Sequence, residues 1–166
     1  SVISKQQMTV NSIQKFINVL NNRPSGQKVK ISPEIYSNFD RGSIFLYNNI
    51  EQNWKERSIE IGKIYNYTSY IFSSSKVDKP SWNKNCNPNK EYVDYDKITD
   101  NLKLRHWQQG DRFKPIGFKH SKKLSDYFIN NKIPNFKKHQ IPILADGNDI
   151  VWICGERLSD DYRVED

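Results

Sequence analysis

The sequence predicts an α+β fold in which strands dominate and two helices pack against them. Two segments, 9–21 and 121–131, carry apolar residues at three- and four-residue spacing, which is typical of amphipathic helices. Most other apolar residues fall in short runs that are rich in β-branched and aromatic side chains and are bounded by Gly, Asn and Asp, which is typical of strands. We therefore expect two small modules, mostly of strands, with two main helices.

The first module is predicted to span residues 1–72. Thr9 is the expected N-cap of its helix, and the segment 21–26 ends that helix. The apolar face of the helix is expected to consist of Val10, Ile13, Phe16, Ile17 and Leu20. Strands are expected over 28–32, 35–39 and 43–48, with a turn at Asp40-Arg41-Gly42, and a β-rich aromatic stretch follows over 59–72.

Residues 73–91 are rich in Ser, Lys, Asn and Pro and form the expected linker. The second module, 92–166, begins with strand-like alternation over 92–98 and 102–107, followed by a strand over 112–116. Ser121 is the expected cap of the second helix, which Pro134 stops. Strands over 141–145 and 150–154 flank a hairpin turn, and 162–164 is a candidate final strand.

Composition excludes several classes of protein. Aromatic residues make up 13% of the 166 residues, which excludes long disorder, and no run approaches the roughly 20 apolar residues of a membrane span. Two cysteines with no apolar leader indicate a cytoplasmic protein. The chain opens directly in helical periodicity, so we expect it to be a piece of a longer protein.

The net charge of +7 is concentrated in one segment. Residues 103–139 hold ten basic and two acidic side chains, whereas residues 140–166 hold two basic and seven acidic ones. A focused positive field attracts polyanions, so nucleic acid is the leading partner, and a solvated basic face is the alternative. The basic residues are Lys103, Arg105, Arg112, Lys114, Lys119, Lys122, Lys123, Lys132, Lys137 and Lys138.

Catalytic and metal-binding patterns are weak. The three histidines, His106, His120 and His139, share no metal-ligand spacing with either cysteine, so no metal site is expected. No glycine-rich phosphate loop occurs. Asp111 is interpreted as a turn residue or as the partner of a neighbouring Arg, and Cys154 as an unreactive core thiol. We therefore expect no catalytic residues in this chain.

A binding surface is more consistent with the pattern. Lys119, Lys122 and Lys123 flank the expected start of the second helix, where free N–H groups and the helix dipole favour an anion. His139 could add a donor to phosphate. The aromatic residues Trp107 and Phe118 are expected in the core rather than stacked on a base. An ordinary surface pair between Lys122 and Asp126 is an alternative reading of the helix.

The stretch 105–155 resembles one known family. Gly110-Asp111-Arg112-Phe113 with Pro115, then 122–128 (KKLSDYF) and Lys132-Ile133-Pro134, resemble in order and spacing the C-terminal domain of bacterial tRNA(Ile)-lysidine synthetase, a MesJ-type cell cycle protein. The segment before residue 72 resembles more loosely the region that precedes this domain. The family is similar in this domain to the β subunit of phenylalanyl-tRNA synthetase.

The resemblance implies a function for the parent protein. That enzyme is a ligase that uses ATP, with Mg, and lysine to convert the wobble cytidine of tRNA(Ile) to lysidine. Its ATP site carries an S-G-G-x-D-S signature in an N-terminal domain, and this signature is absent here. The implied partners are tRNA(Ile) and the catalytic domain, without a membrane, and a homodimer stays open. The residues expected to bind tRNA are Arg105, Arg112, Lys114, Lys119, Lys122, Lys123, Lys132, Lys137 and Lys138.

Two alternatives differ in class from tRNA docking. One is a protein-interaction module that holds domains or subunits of a larger enzyme together, with its basic face merely solvated. The other is an autonomous enzyme whose site the known motifs do not reveal. Turnover by the isolated chain would establish the second alternative.

Overall fold

The computed structural model describes residues 9–22, 26, 28–48, 55–67, 70–78 and 87–165. Helices and antiparallel strands are mixed and strands dominate, which confirms the predicted fold class. The chain divides into two compact units, residues 1–51 with 134–136 and residues 52–133 with 137–166. Among the described residues, no helix is long and apolar enough to cross a membrane.

The first unit contains one helix and a three-stranded sheet. Helix α1 covers Val10–Asn22, and strands β1 (Lys28–Lys30), β2 (Ile35–Asp40) and β3 (Ser43–Asn48) form the sheet in the order β1-β2-β3. The predicted turn at Arg41-Gly42 is confirmed, and both residues have positive φ (47° and 82°), as a two-residue hairpin turn of type I′ requires. Residues 23–25, part of the predicted helix stop, lie outside the described residues.

The prediction for α1 is confirmed in extent but not in orientation. The Ser12 N–H donates to Thr9 Oγ1 at 3.2 Å, which confirms Thr9 as the N-terminal cap. The buried side chains are Ser12 and Val19, while most of the predicted apolar face is exposed, namely Val10, Ile13, Ile17 and Leu20. The helix therefore packs through a face displaced from the one that hydrophobic spacing indicates.

The second unit is built on a five-stranded antiparallel sheet in the order β12-β11-β10-β7-β4. Its strands are β4 (Arg57–Ser58), β7 (Leu102–Arg105), β10 (Ile143–Asp146), β11 (Asp149–Ile153) and β12 (Arg157–Leu158). Two-stranded ribbons are formed by β5 (Ile64–Asn66) with β6 (Ile71–Ser73) and by β8 (Arg112–Phe113) with β9 (Lys122–Lys123). The short helix α2 covers Leu124–Asn130, and the short helix α3 (Asn135–Lys138) contains residues of both units.

Alternation along the strands divides the core of the second unit into two clusters. Leu104 and Leu144 belong to one cluster, with Ile59, Phe72 and Trp152. Ile143 and Ile153 belong to the other, against which α2 packs its buried side chains Leu124 and Phe128 at four-residue spacing. This second cluster fixes α2 and the β8–β9 ribbon in place.

The unit boundary differs from the predicted end of the first module at residue 72. Strand β4 pairs with β7, and Ile59 and Phe72 are buried beside Leu102, so this stretch packs with the later strands. The assignment of the first module to a family subdomain stays a prediction. Much of the predicted linker, residues 79–86 with Cys86, lies outside the described residues.

Several predicted elements in the second unit are wrong in type or extent. The expected strand at 92–98 contains a 3-10 turn at Tyr95–Lys97, because the Asp94 carboxylate accepts a hydrogen bond from the Asp96 N–H at 3.1 Å. The strand expected at 162–164 is not formed. Strand β12 ends at Leu158, and a 3-10 turn follows at Asp160–Tyr162. The strands near 143–146 and 149–153 are confirmed within one or two residues.

Candidate nucleic-acid interface

The start of the second helix differs from the prediction. Lys122 and Lys123 form strand β9, and α2 begins only at Leu124, so Ser121 is not its cap. The Leu124 N–H donates to the Asp111 carbonyl at 2.8 Å, which occupies one of the donors that was expected to be free. A helix of seven residues whose first N–H already donates to a carbonyl does not form an anion site by itself. Anion binding here therefore depends on the cations around the helix.

The β8–β9 ribbon places two cations directly opposite each other. Arg112 pairs with Lys123 and Phe113 pairs with Lys122 in antiparallel register. Phe113 is buried, whereas Arg112 and Lys123 are exposed, so the two cations project from the same side of the ribbon. Like charges at directly opposite positions destabilise a strand pair, and a bound anion would relieve this repulsion.

Residues 114–121 connect the two strands and carry further exposed groups. Lys119 and His120 are exposed there, and the Phe118 ring is 45% exposed. The Lys122 Nζ lies 3.9 Å from the centroid of the Phe118 ring. The expectation that Phe118 belongs to the core is therefore wrong. For Trp107 the same expectation is confirmed, since its ring packs edge-on against Phe128 with centroids 6.0 Å apart.

Two of the nine candidate residues are engaged in ion pairs. Arg105 is buried, and its guanidinium donates two hydrogen bonds to the Asp111 carboxylate at 2.8 and 2.9 Å. This confirms the interpretation of Asp111 as the partner of a neighbouring Arg. The Lys114 Nζ lies 2.8 Å from Asp160 Oδ2, and the hydrogen bond to Asp160 raises the pKa of Lys114. The tRNA contacts predicted for Arg105 and Lys114 stay predictions, and in the described structure both side chains are held by carboxylates.

The other candidates have no such partner among the residues that the structure describes. No described carboxylate lies within 4.0 Å of their charged nitrogens, and the pair between Lys122 and Asp126, the alternative reading of this helix, is not formed. Lys103, which belongs to the same basic segment, is in contrast paired with Glu56 at 3.0 Å. The cations without a described carboxylate partner are Arg112, Lys119, Lys122, Lys123, Lys132, Lys137 and Lys138.

These seven residues fall into two groups. Arg112, Lys119, Lys122 and Lys123 lie on the ribbon and its connection, and we call them the ribbon cations. Lys132, Lys137 and Lys138 follow α2, at its far end, since a seven-residue helix is about 10 Å long. Lys137 and Lys138 occupy the last turn of α3, where a cation is favourable for a helix in any protein.

Two further titratable side chains, His139 and Cys154, are poorly suited to phosphate binding or to nucleophilic catalysis. Burial lowers the pKa of His139, with His106 and Lys138 as further causes, which disfavours the charged form that would pair with phosphate. Burial raises the pKa of the Cys154 thiol to about 12, as expected for an unreactive core cysteine. Within the described ranges no three His, Cys, Asp or Glu side chains cluster as metal ligands.

Sequence reasoning identified the ribbon cations but missed how they are arranged. The opposition of Arg112 and Lys123 was hidden because Lys122 and Lys123 were assigned to a helix. A two-residue strand leaves almost no periodicity to detect. The one sequence feature that indicated this strand was Phe113, an apolar residue flanked by two basic ones.

Comparison with known proteins identifies the domain that carries this ribbon. Residues 102–166 match the family described as the TilS substrate C-terminal domain and belong to that family. They include the sheet strands β7, β10, β11 and β12, both short helices and the whole ribbon.

Relatives extend the similarity over most of the chain. The tRNA(Ile)-lysidine synthase of Clostridium tetani is 36% identical over 124 residues, which cover 73% of this chain and 26% of that protein. The tRNA(Ile)-lysidine synthase of Caldanaerobacter subterraneus subsp. tengcongensis is 31% identical over 173 residues, covering 92% of this chain and 33% of that protein. A crystal structure of a TilS C-terminal domain shares 32% identity, with a TM-score of 0.40 over 43% of this chain and 56% of that chain.

The chain therefore contains the C-terminal domain of a tRNA(Ile)-lysidine synthase, as the resemblance in the sequence indicates. It spans a third or less of the length of the two relatives described.

Proposed function

We propose that this chain docks tRNA(Ile) for a parent enzyme that uses ATP and lysine to convert the wobble cytidine to lysidine. Membership of residues 102–166 in the TilS substrate C-terminal domain family supports the choice of RNA. In this proposal the parent enzyme acts in the cytoplasm, and its catalytic domain carries out adenylylation and ligation with ATP and Mg. The present chain contributes affinity and placement.

The observation that carries the proposal is the opposition of Arg112 and Lys123 across the β8–β9 ribbon. Like charges at opposite positions cost stability in the free protein, and no described carboxylate lies within 4.0 Å of either cation. Elsewhere in the described structure, cations such as Lys97, Lys103 and Lys114 sit beside carboxylates. A phosphate near the ribbon would turn the repulsion into attraction.

Docking of this kind recognises the phosphate backbone and the shape of the RNA helix. An A-form RNA helix has a major groove too narrow for side chains, so a short two-stranded ribbon contacts phosphates and 2′-hydroxyls along the outer surface. Arg112 presents a planar guanidinium, which also donates to the Ser121 carbonyl at 3.2 Å and is thereby held in place. Lys119, Lys122 and Lys123 act as point charges. Recognition of the wobble base itself remains with the catalytic domain.

The proposal is tested by reversing charge on the ribbon. The double variant Lys122→Glu/Lys123→Glu should weaken binding of tRNA(Ile) by at least tenfold at 100 mM salt, because two attractive charges become repulsive. The matched control is Lys76→Glu/Lys90→Glu, which changes the net charge equally at exposed positions outside the basic segment. Circular dichroism and thermal melting establish that both variants fold.

The two variants distinguish the alternatives. Loss of binding in the ribbon variant alone supports docking through the ribbon. Equal loss in both variants means that only the overall charge of the chain attracts RNA. Unchanged binding in the ribbon variant overturns the assignment and favours the protein-interaction module.

A further inference from the structure

Phe118 is an exposed aromatic side chain in the connection between β8 and β9, directly before Lys119. Its ring is 45% exposed, whereas the side chains of Phe113 and Phe128 in the same unit are buried. Segment 117–123 contains no acidic residue, and Lys122 lies over the ring at 3.9 Å. An exposed aromatic ring beside cations is an arrangement with which proteins bind unpaired nucleotides, since the base stacks on the ring and the phosphates meet the charges.

The backbone that carries Phe118 is firmly held. Pro115 is fully buried and forms a bridge with Ser159, which anchors the start of the turn. Gly117 has φ of 83°, a conformation that redirects the chain so that the next side chain points outward. Hydrogen bonds fix the turn, from Ile116 N–H to Leu158 O (3.0 Å), from Gly117 N–H to Asp160 Oδ1 (3.1 Å), from Phe118 N–H to Pro115 O (2.9 Å) and from Arg157 Nη2 to Ile116 O (2.9 Å).

This rigidity bears on binding. An exposed ring on a mobile loop would lose its freedom on binding a ligand, and that entropy cost would cancel much of the stacking energy. Because the turn is anchored to 157–160, the ring is already positioned and the cost is low. The Lys122 side chain is flexible and can move from the ring to a phosphate without a change in the backbone.

We propose that Phe118 stacks on an unpaired nucleotide adjacent to an RNA duplex, while Lys119 and Lys122 contact the flanking phosphates. This inference rests on the proposed function and adds to it a single-stranded element that duplex docking does not require. The occupant is an RNA base rather than an aromatic residue of a protein, because the positive charge around the ring complements a polyanion.

The test separates the base from its phosphates. Fluorescence anisotropy measures the affinity of the chain for a short RNA duplex that carries a two-nucleotide extension, and for the same duplex with abasic residues in the extension. Both ligands have equal charge, so only contacts with the bases of the extension distinguish them, and the Phe118 variants then isolate stacking. Extensions at the 3′ and the 5′ end are measured separately, and a blunt duplex reports docking without any unpaired nucleotide.

The wild-type chain is expected to bind one of the two extensions about tenfold more tightly than its abasic counterpart, within the range for stacking a base on an aromatic side chain. Phe118→Ala should abolish this preference and leave the affinity for the blunt duplex unchanged within twofold. Phe118→Trp should retain it. The matched control is Tyr95→Ala, because Tyr95 is 47% exposed and has a lysine, Lys76, 3.8 Å from its ring centroid, outside the basic segment.

The outcomes are distinguishable. Duplex binding with no difference between base and abasic extension, or a preference that survives Phe118→Ala, overturns the stacking inference and leaves the docking proposal standing. Absence of binding to every RNA, blunt or extended, overturns both. A loss of preference in Tyr95→Ala equal to that in Phe118→Ala overturns the assignment to this ring.

Discussion

The Asp111 carboxylate accepts two hydrogen bonds from the Arg105 guanidinium, at 2.8 and 2.9 Å. This ion pair connects the end of β7 to the turn before β8. The same carboxylate accepts the Gln108 N–H at 2.8 Å, and the Asp111 carbonyl accepts the N–H of Leu124. One residue therefore fixes the relative positions of a central strand, the ribbon and α2. The pair supports the site without being available to a ligand.

Asp111→Asn should destabilise the second unit by about 3 kcal/mol, because the side chains of Arg105 and Asp111 are only 4% and 9% exposed and the Arg charge would lose its partner. The free energy of unfolding from urea titration measures the loss. Asp126→Asn, an equivalent change at an exposed position, should alter it by less than about 0.5 kcal/mol. Equal effects of the two substitutions would contradict a structural role for the pair.

Neutralising single lysines should separate the cations that pair with a described carboxylate from those that do not. Lys123→Met should lower the slope of log affinity for tRNA against log salt by about one, since one phosphate contact is lost. Lys114→Met removes the same charge, but Lys114 is already paired with Asp160, so the slope should be unchanged. If both substitutions lower the slope equally, the ion pair of Lys114 does not exclude it from RNA contact.

The Cys154 thiol should resist modification in the folded chain. Burial raises its pKa to about 12, so at pH 8 its thiolate fraction is about a thousandfold below that of a free cysteine. Reaction with a chromogenic disulfide reagent, followed in a Cys86→Ser background, should be slow in buffer and fast in 6–8 M urea (about the range that unfolds small domains). A native rate equal to the denatured rate would contradict the burial of this thiol.

The lowered pKa of His139 makes a prediction about pH. Burial disfavours its charged form, and the neighbouring His106 and Lys138 act in the same direction. The unfolded chain then binds a proton more readily, so the stability that neutral His139 contributes is present above pH of about 6.5 and is lost as the pH falls towards the folded pKa. The NMR titration midpoint of His139 should lie below 6.5, and His139→Gln should reduce the loss of stability between pH 7.5 and 5. A midpoint at or above 6.5 would contradict the effect of burial and of the neighbouring cations on this ring.

Local patterns predicted the elements whose signals are local. The spacing of apolar residues and the capping hydroxyl of Thr9 predicted α1, and Arg41-Gly42 predicted the turn between β2 and β3. The pattern failed where side chains compete with the backbone, as at Asp94, whose carboxylate turns a predicted strand into a 3-10 turn. It also failed to choose the face of α1, because the buried residues Ser12 and Val19 both lie outside the predicted apolar face.

The candidate site was predictable in composition but not in pairing. Ten basic residues in one segment indicated a polyanion partner, yet Lys114 meets Asp160 and Lys103 meets Glu56 across long stretches of chain that no local pattern connects. The exposed position of Phe118 depends on the anchoring of its turn to residues 157–160, which likewise requires the fold.

The most direct test of tRNA docking is the fluorescence anisotropy of a labelled isoleucine tRNA titrated with this chain at 50 and 200 mM salt, with a duplex DNA of equal charge as comparison. The four ribbon cations predict that affinity for the tRNA falls about a hundredfold across this range and exceeds affinity for the DNA at both salt concentrations. Equal and weak binding to tRNA and DNA would contradict the account, because the basic segment would then be a general polyanion surface.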